Sequence, residues 1–249
     1  MNNNKYFLEI EKIVGKAIND YSLIKENDKV LVALSGGKDS LVMLDTISNR
    51  RKRLPIKYDI IAVHVHLKNI GYKIDFEFVK NFCNEHNLPL HILEAEAVIE
   101  ADDKTTPCFI CSRLRRKLLF DFVKNAGCNK LALGHHMDDA VETLLMNMMF
   151  NSSISSIPPS LSMFGGEFNI IRPLIFLRED EIKKYAEFKN FPHELKTCPY
   201  SEDTNRFTVK SIISEMEKIN KNAGRNIFAA MSNIHDEYLA KRQRIEDRG

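Results

Sequence analysis

Between residues 5 and 22 the apolar positions Phe7, Leu8, Ile10, Ile13, Val14, Ala17, Ile18 and Tyr21 recur at helical spacing, which predicts an amphipathic leading helix. The period then changes. "DKVLVALSG", "YDIIAVHVHL" (Tyr58 to Leu67), "LPLHILEAE" and "NKLALGHH" are short β-rich runs bounded by turn residues. Helical patterns alternate with them: "LVMLDTISNRRK", "IDFEFVKNFCNEHN", "SRLRRKLLFDFVKNAG" and "MDDAVETLLMNMMF". Strands alternating with helices predict right-handed βαβ units, hence an α/β fold built on an open parallel sheet with helices on both faces. Ser, Pro and Gly accumulate over 151–168 and predict a loop, "FNIIRPLIFL" reads as extended, and "REDEIKKYAEFKN" as a helix. A helical tail begins near Asn205. The expected organisation is a central α/β domain over 25–200, with helical extensions over 1–24 and 201–249.

Composition narrows the partners. The 249 residues are 44% apolar, enough for one large core. With 36 Lys and Arg against 34 Asp and Glu, the net charge is only +2, so any nucleic-acid affinity has to come from local clusters. No run reaches the ~18 apolar residues of a membrane span, and the charged N-terminus lacks the apolar heart of a secretion signal. A cytoplasmic protein with no membrane partner is expected. Five cysteines, at 83, 108, 111, 128 and 198, form an odd set that disfavours a disulfide framework and directs attention to the close pair Cys108 and Cys111.

The first strand runs into "SGGKDS". In an open parallel sheet ligands bind beyond the carboxyl ends of strands, where a loop enters a helix. Gly36 and Gly37 allow the backbone to approach an anion closely, Ser35 and Ser40 offer hydroxyls, and the helix end adds partial positive charge suited to phosphate. Lys38 adds a full charge, and Asp39 is placed to hold Mg2+ on the phosphates. Asp39 directly after Lys38 excludes a Walker loop, and adjacent glycines exclude a dinucleotide fingerprint. "PCFICSRLRRKLLF" carries a different chemistry. Two thiolates three residues apart can grip one zinc ion or one iron-sulfur cluster, and Arg113, Arg115, Arg116 and Lys117 favour the thiolate form.

"SGGKDS" after a strand resembles the pyrophosphate-binding loop (PP-loop) of the N-type ATP pyrophosphatases, a fold of the adenine nucleotide alpha hydrolase type. "PCFICSRLRR", "GHHMDDAVETLLMNMMF" and "IRPLIFLREDEI" resemble segments of one branch, the tRNA 2-thiocytidine synthetases, and the likeness runs over roughly residues 5–200. "TCPYSEDTNRFTVK" departs from that branch. Ser201 stands where a further cysteine is usual, and the segment is more similar to the related tRNA 2-thiouridine synthetases, which normally begin with a cysteine-rich finger, whereas residues 1–30 contain no cysteine.

The resemblance implies a nucleotide site formed by Ala33, Ser35, Gly36, Gly37, Lys38, Asp39, Ser40, His64 and Gly134, with ATP and Mg2+. It implies a [4Fe-4S] cluster on Cys108, Cys111 and Cys198 with one open iron. A structural zinc completed by His193 is the alternative. Lys38, Asp39, Asp138, Asp139 and Arg115 are the expected catalytic set, and Arg113, Arg115, Arg116 and Lys117 the expected tRNA-phosphate contacts. The implied activity is adenylation of a pyrimidine C2 carbonyl followed by exchange of its oxygen for sulfur, with cytidine 32 of a tRNA as substrate. A cysteine desulfurase or free sulfide would supply the sulfur, and a homodimer is left open. A thiouridine synthetase, a lysidine-type tRNA ligase and a non-catalytic ATP- and metal-binding redox module are the rival readings. Cys83 and Cys128, like Met146, Met148 and Met149, read as packing residues.

Overall fold

The computed structural model describes residues 3–70, 74–98, 107–192 and 204–240. Among them six strands form one sheet: β1 (Lys29–Ala33), β2 (Asp59–Leu67), β3 (Leu90–Ala95), β4 (Lys130–Ala132), β5 (Ser160–Met163) and β6 (Phe168–Ile171), in the spatial order β3-β2-β1-β4-β6-β5. All neighbours are parallel except β5 and β6. The helices are α1 (Asn3–Asp20), α2 (Lys38–Arg53), α3 (Phe76–Glu85), α4 (Pro107–Asn125), α5 (Met137–Asn151), α6 (Glu179–Phe188), α7 (Thr204–Ile219) and α8 (Ala223–Ala230).

Side chains of β1 show why the central strand is apolar throughout. Val30 and Val32 join a core with α1, α2, α3 and α6, whereas Leu31 joins one with Val123 of α4 on the opposite face. A strand covered on both sides has no polar position to spare. Helix α1 adds Tyr6, Ile10, Val14 and Ile18 to the first of these cores, so the leading segment is packed against the sheet's own helical layer. Gly127 ends α4 in the left-handed region at φ +63°, and Cys128 N–H closes on Val123 O at 2.9 Å.

Two expectations from the sequence are corrected. The stretch predicted as loop contains β5, an antiparallel edge strand whose Ser-Leu-Ser-Met alternation spans only four residues among Ser, Pro and Gly and is held by its pairing with β6. The extended run predicted to Leu177 stops at Ile171. Pro173 cannot donate to a ladder, and the chain coils instead through Ile175 N–H to Arg172 O and Leu177 N–H to Leu174 O. Helix α4 runs over Pro107–Asn125, so the cysteine pair stands at its head.

One buried network holds α2 in place. Asp45 accepts from Tyr185 Oη at 2.7 Å, Lys189 Nζ at 2.8 Å and Asn49 Nδ2 at 3.1 Å, and His86 Nε2 lies 3.1 Å away. Burial pushes the Asp45 carboxyl up, but the bonds from His86, Lys189 and Tyr185 outweigh it and hold the group down at about 2. Helices α2 and α6 and the end of α3 are thereby tied through a single carboxylate.

Candidate nucleotide cleft and cysteine helix

Strand order reverses between β1 and β4, and a crevice opens beyond their carboxyl ends, where the topology rule places ligands. It is a cleft of about 390 Å³. From β1 and the following turn come Ala33, Ser35, Asp39 and Ser40; His64 comes from β2, and Gly134, His135 and Asp139 from the junction of β4 with α5.

The turn itself is stitched closed. Ser35 Oγ accepts from Gly37 N–H at 3.2 Å, and Ser40 Oγ donates to Gly37 O at 2.9 Å. Gly36 sits at φ +87°, and a Cβ there would lie 2.5 Å from Ile74 Cγ2, so both conformation and space call for glycine. Gly37 leads into α2 with no side chain capping its first turn, which leaves helix-end N–H groups directed at the cleft rim. Gly134 is required by a different constraint. A Cβ on it would stand 3.1 Å from both Asp39 C and Ser40 N, the backbone of that same first turn.

Charge in the cleft is balanced between carboxylates and guanidinium groups. Lys38 Nζ lies 3.2 Å from Asp39 Oδ1 and 3.5 Å from Glu179 Oε1. Burial raises the Asp39 carboxyl above its ordinary value, against the pull of Lys38, and Asp139 across the cleft adds to the rise. Two carboxylates facing one space form an arrangement that a divalent cation can bridge. His64 Nδ1 donates to Leu34 O at 2.7 Å, and burial keeps the ring neutral, so Nε2 is its acceptor. Burial drives His135 down to about 4, with Arg172 and Arg206 adding to the effect.

Asp138 and Asp139, adjacent in sequence, part company. Asp139 lines the cleft, accepts from His136 N–H at 3.0 Å and pairs with Arg206 Nη2 at 2.9 Å. Asp138 lies outside the cleft lining, where Arg178 Nε and Glu179 N–H each donate to it at 2.7 Å. Its carboxylate joins α5 to the start of α6.

Helix α4 carries both the cysteine pair and residues that line the cleft. Cys111 is buried among Val65, Leu67, Ile70 and Ala97, while Cys108 is exposed. Arg115, one turn beyond Cys111 on the same helix face, lines the cleft. Arg113, Arg116 and Lys117 point to solvent around it. Cys198 and His193 lie outside the described residues. Among the described residues, no three His, Cys, Asp or Glu side chains converge as a metal site. Cys83 and Cys128 are buried thiols of the two main cores, with burial pushing each thiol up and Cys83 reaching about 11.

Arg206 was not singled out by the sequence reading, because it stands 67 positions from Asp139 and reaches it only through α7. Arg172 was equally hidden. It is buried, donates to Pro158 O at 2.5 Å, and sits within electrostatic reach of Asp139 and His135.

A family model described as a PP-loop domain matches residues 7–217. Two curated relatives carry the name tRNA-cytidine(32) 2-sulfurtransferase. The one from Chromohalobacter salexigens is 36% identical over 99% of this chain and 88% of its own length; the one from Pseudomonas syringae is 38% identical over 97% and 89%. Among solved structures, a U34-tRNA thiolase from Methanococcus maripaludis, described with its [4Fe-4S] cluster, superposes with a TM-score of 0.79. It is 27% identical, over 96% of this chain and 84% of the thiolase.

Proposed function

Because this chain belongs to the PP-loop domain family, we propose that it is an ATP-dependent tRNA sulfurtransferase, converting cytidine 32 to 2-thiocytidine. One observation in the structure carries the reading. Arg115 lines the nucleotide cleft from the helix whose first turn presents Cys108 and Cys111, so a thiol site and a phosphate site share one helix. A ligase that only adenylates its substrate has no use for that juxtaposition.

The donor set fits an iron-sulfur group: two cysteines at i and i+3 on one helical turn, one buried in apolar surroundings and one exposed. Cys108, Cys111 and Cys198 would hold a [4Fe-4S] cluster, which when bound supplies an iron with an open position for sulfide. The rest of the chemistry falls to the chain. The first turn of α2, with Lys38, holds the terminal phosphates of ATP, and Asp39 with Asp139 holds Mg2+. The C2 oxygen of the base bonds to the α-phosphorus, and the bond to the β-phosphate breaks with its electrons leaving on pyrophosphate. Hydrosulfide then bonds to C2, the C2–O bond breaks, and AMP departs with the oxygen; the hydrosulfide proton passes to solvent or pyrophosphate. Arg115 neutralises the departing phosphate. Exposed Arg113, Arg116 and Lys117 contact tRNA phosphates, and the base itself is taken from an unpaired loop, where it can leave its stack. Sulfide delivered freely or by a cysteine desulfurase serves as donor.

Among the described residues no helix is long and apolar enough to cross a membrane. The test is anaerobic incubation of the purified chain with tRNA, MgATP and sulfide, followed by nucleoside mass spectrometry and AMP measurement. Stoichiometric 2-thiocytidine and AMP support the proposal. Recovery of 2-thiouridine assigns the other base, and thiol-independent AMP formation with no sulfur incorporated overturns it.

A further inference from the structure

Arg206 enters the cleft from α7, on which no residue was expected to meet the nucleotide. Its Nε donates to Glu142 Oε2 at 2.7 Å and its Nη2 to Asp139 Oδ1 at 2.9 Å, so two carboxylates one turn apart on α5 clamp a single guanidinium. The clamps differ in their surroundings. The Glu142 side chain is 7% exposed and lies outside the cleft lining, whereas Asp139 is 20% exposed and lines it. One end of the fork is thus anchored in the protein, and the other rests on the carboxylate that faces the ligand space.

Asp139 also answers to another cation. It lines the same cleft as Asp39, and Mg2+ shared between the two carboxylates would draw on the oxygen that Arg206 now holds. Of its two carboxylate partners Glu142 is the more deeply buried, so on release from Asp139 the Nε bond to Glu142 would still hold the guanidinium at the cleft. Asp139 keeps a positive neighbour in buried Arg172. Lys38 is paired with Asp39 and Glu179, and the guanidinium groups that line the cleft itself are those of Arg115 and Arg206.

We infer that Arg206 is a catalytic residue of the adenylyl transfer: it exchanges Asp139 for the α-phosphate of bound MgATP. There it stabilises charge on the non-bridging oxygens while the base C2 oxygen bonds to phosphorus and pyrophosphate leaves with the electrons of the broken bond. Glu142 is its positioning residue. The inference rests on the ATP-dependent reading above and deepens it by naming the group that meets the reacting phosphorus.

The experiment compares wild type with Arg206→Ala and Arg206→Lys in AMP and pyrophosphate formation on tRNA. Binding of the magnesium complex of α,β-methylene ATP, which cannot be cleaved at the reacting bond, is measured in parallel. Arg206→Ala should lower kcat for AMP formation by about 100-fold or more while analogue affinity changes by less than about threefold, the pattern of an interaction made only in the transition state. Arg206→Lys, a cation without the fork, should recover only part of the loss. Glu142→Gln should lower kcat less than Arg206→Ala and leave analogue binding in place. Wild-type kcat in Arg206→Ala overturns the inference. So does an equal fall of kcat and analogue affinity in Arg206→Ala and Glu142→Gln alike, accompanied by a lowered Tm, because that marks the clamp as an anchor for α7. Where wild type itself neither binds the analogue nor forms AMP, the ATP-dependent reading falls and takes this inference with it; where wild type is active, a failure concerns Arg206 alone.

Discussion

Replacing Gly134 by Ala probes a close backbone approach between two segments that line the candidate nucleotide cleft. Gly134 is absent from the residues with positive φ, so alanine can adopt its conformation and only space opposes the methyl group. That space is occupied: the added carbon would meet Asp39 C and Ser40 N at 3.1 Å and Asp39 O at 3.3 Å, all main-chain atoms with no side chain to rotate away. Neither segment is free to retreat. Leu133 N–H is bonded to Ile171 O at 3.0 Å and Met137 N–H to Leu177 O at 2.9 Å, while Ser40 Oγ is tied back to Gly37 O at 2.9 Å. Overpacking of this kind costs about 1–3 kcal/mol. At about 2 kcal/mol the expected fall in Tm for a chain of this size is about 4–8 °C. The strain concentrates on the first turn of α2, so MgATP affinity should fall together with stability. Gly127→Ala serves as the control: its φ of +63° imposes left-handed strain, but nothing lies within 4 Å of the new carbon and the site is at the far end of α4. It should lose about 1–2 kcal/mol and retain nucleotide affinity. Urea unfolding and nucleotide titration of both variants decide the matter. Wild-type affinity in Gly134→Ala, or equal loss of affinity in both variants, would refute the argument that Gly134 shapes the phosphate turn.

Three further outcomes are expected. Alanine at Cys108, Cys111 or Cys198 should abolish iron-sulfur absorbance and tRNA thiolation together, whereas Cys83→Ala and Cys128→Ala should keep both; a cluster surviving loss of Cys198 would remove it from the ligand set. Arg116→Ala should reduce the salt dependence of tRNA binding by about one unit of slope with AMP formation intact, while Arg115→Ala, whose side chain lines the cleft, should depress AMP formation. Asp45, held at about 2 against an unfolded value of 3.8, contributes about 2 kcal/mol that is present above pH 4 and lost as pH falls toward 2. The stability difference between wild type and Asp45→Asn, measured by urea unfolding from pH 6 to pH 2, should therefore shrink by that amount, and a constant difference would contradict the buried network.

Local order was legible along the chain because it depends on neighbours in sequence. The alternation of β-rich and helical runs, the glycine-lysine-aspartate turn after the first strand and the cysteine pair at the head of a basic helix could all be read from residues 5–150. That Gly36 and Gly37 stand in a turn suited to an anion is read from residue type and position alone. Partnerships across the fold were not available in the same way. Asp138 and Asp139 are indistinguishable as adjacent acids at a helix start, yet a helix turns successive side chains about 100° apart. One therefore meets Arg178 of the α5–α6 junction and the other meets Arg206 in the cleft. Edge strand β5 alternates polar and apolar residues over only four positions, too short a run to stand out, and is held by its pairing with β6. The leading helix α1, which reads as an extension, belongs to the core because its apolar stripe finds α2 and α6. Sequence determined which chemistry the chain carries; the order of strands and the packing of α6 and α7 decided which charged groups face the nucleotide space, since long-range contacts have no signature in local spacing.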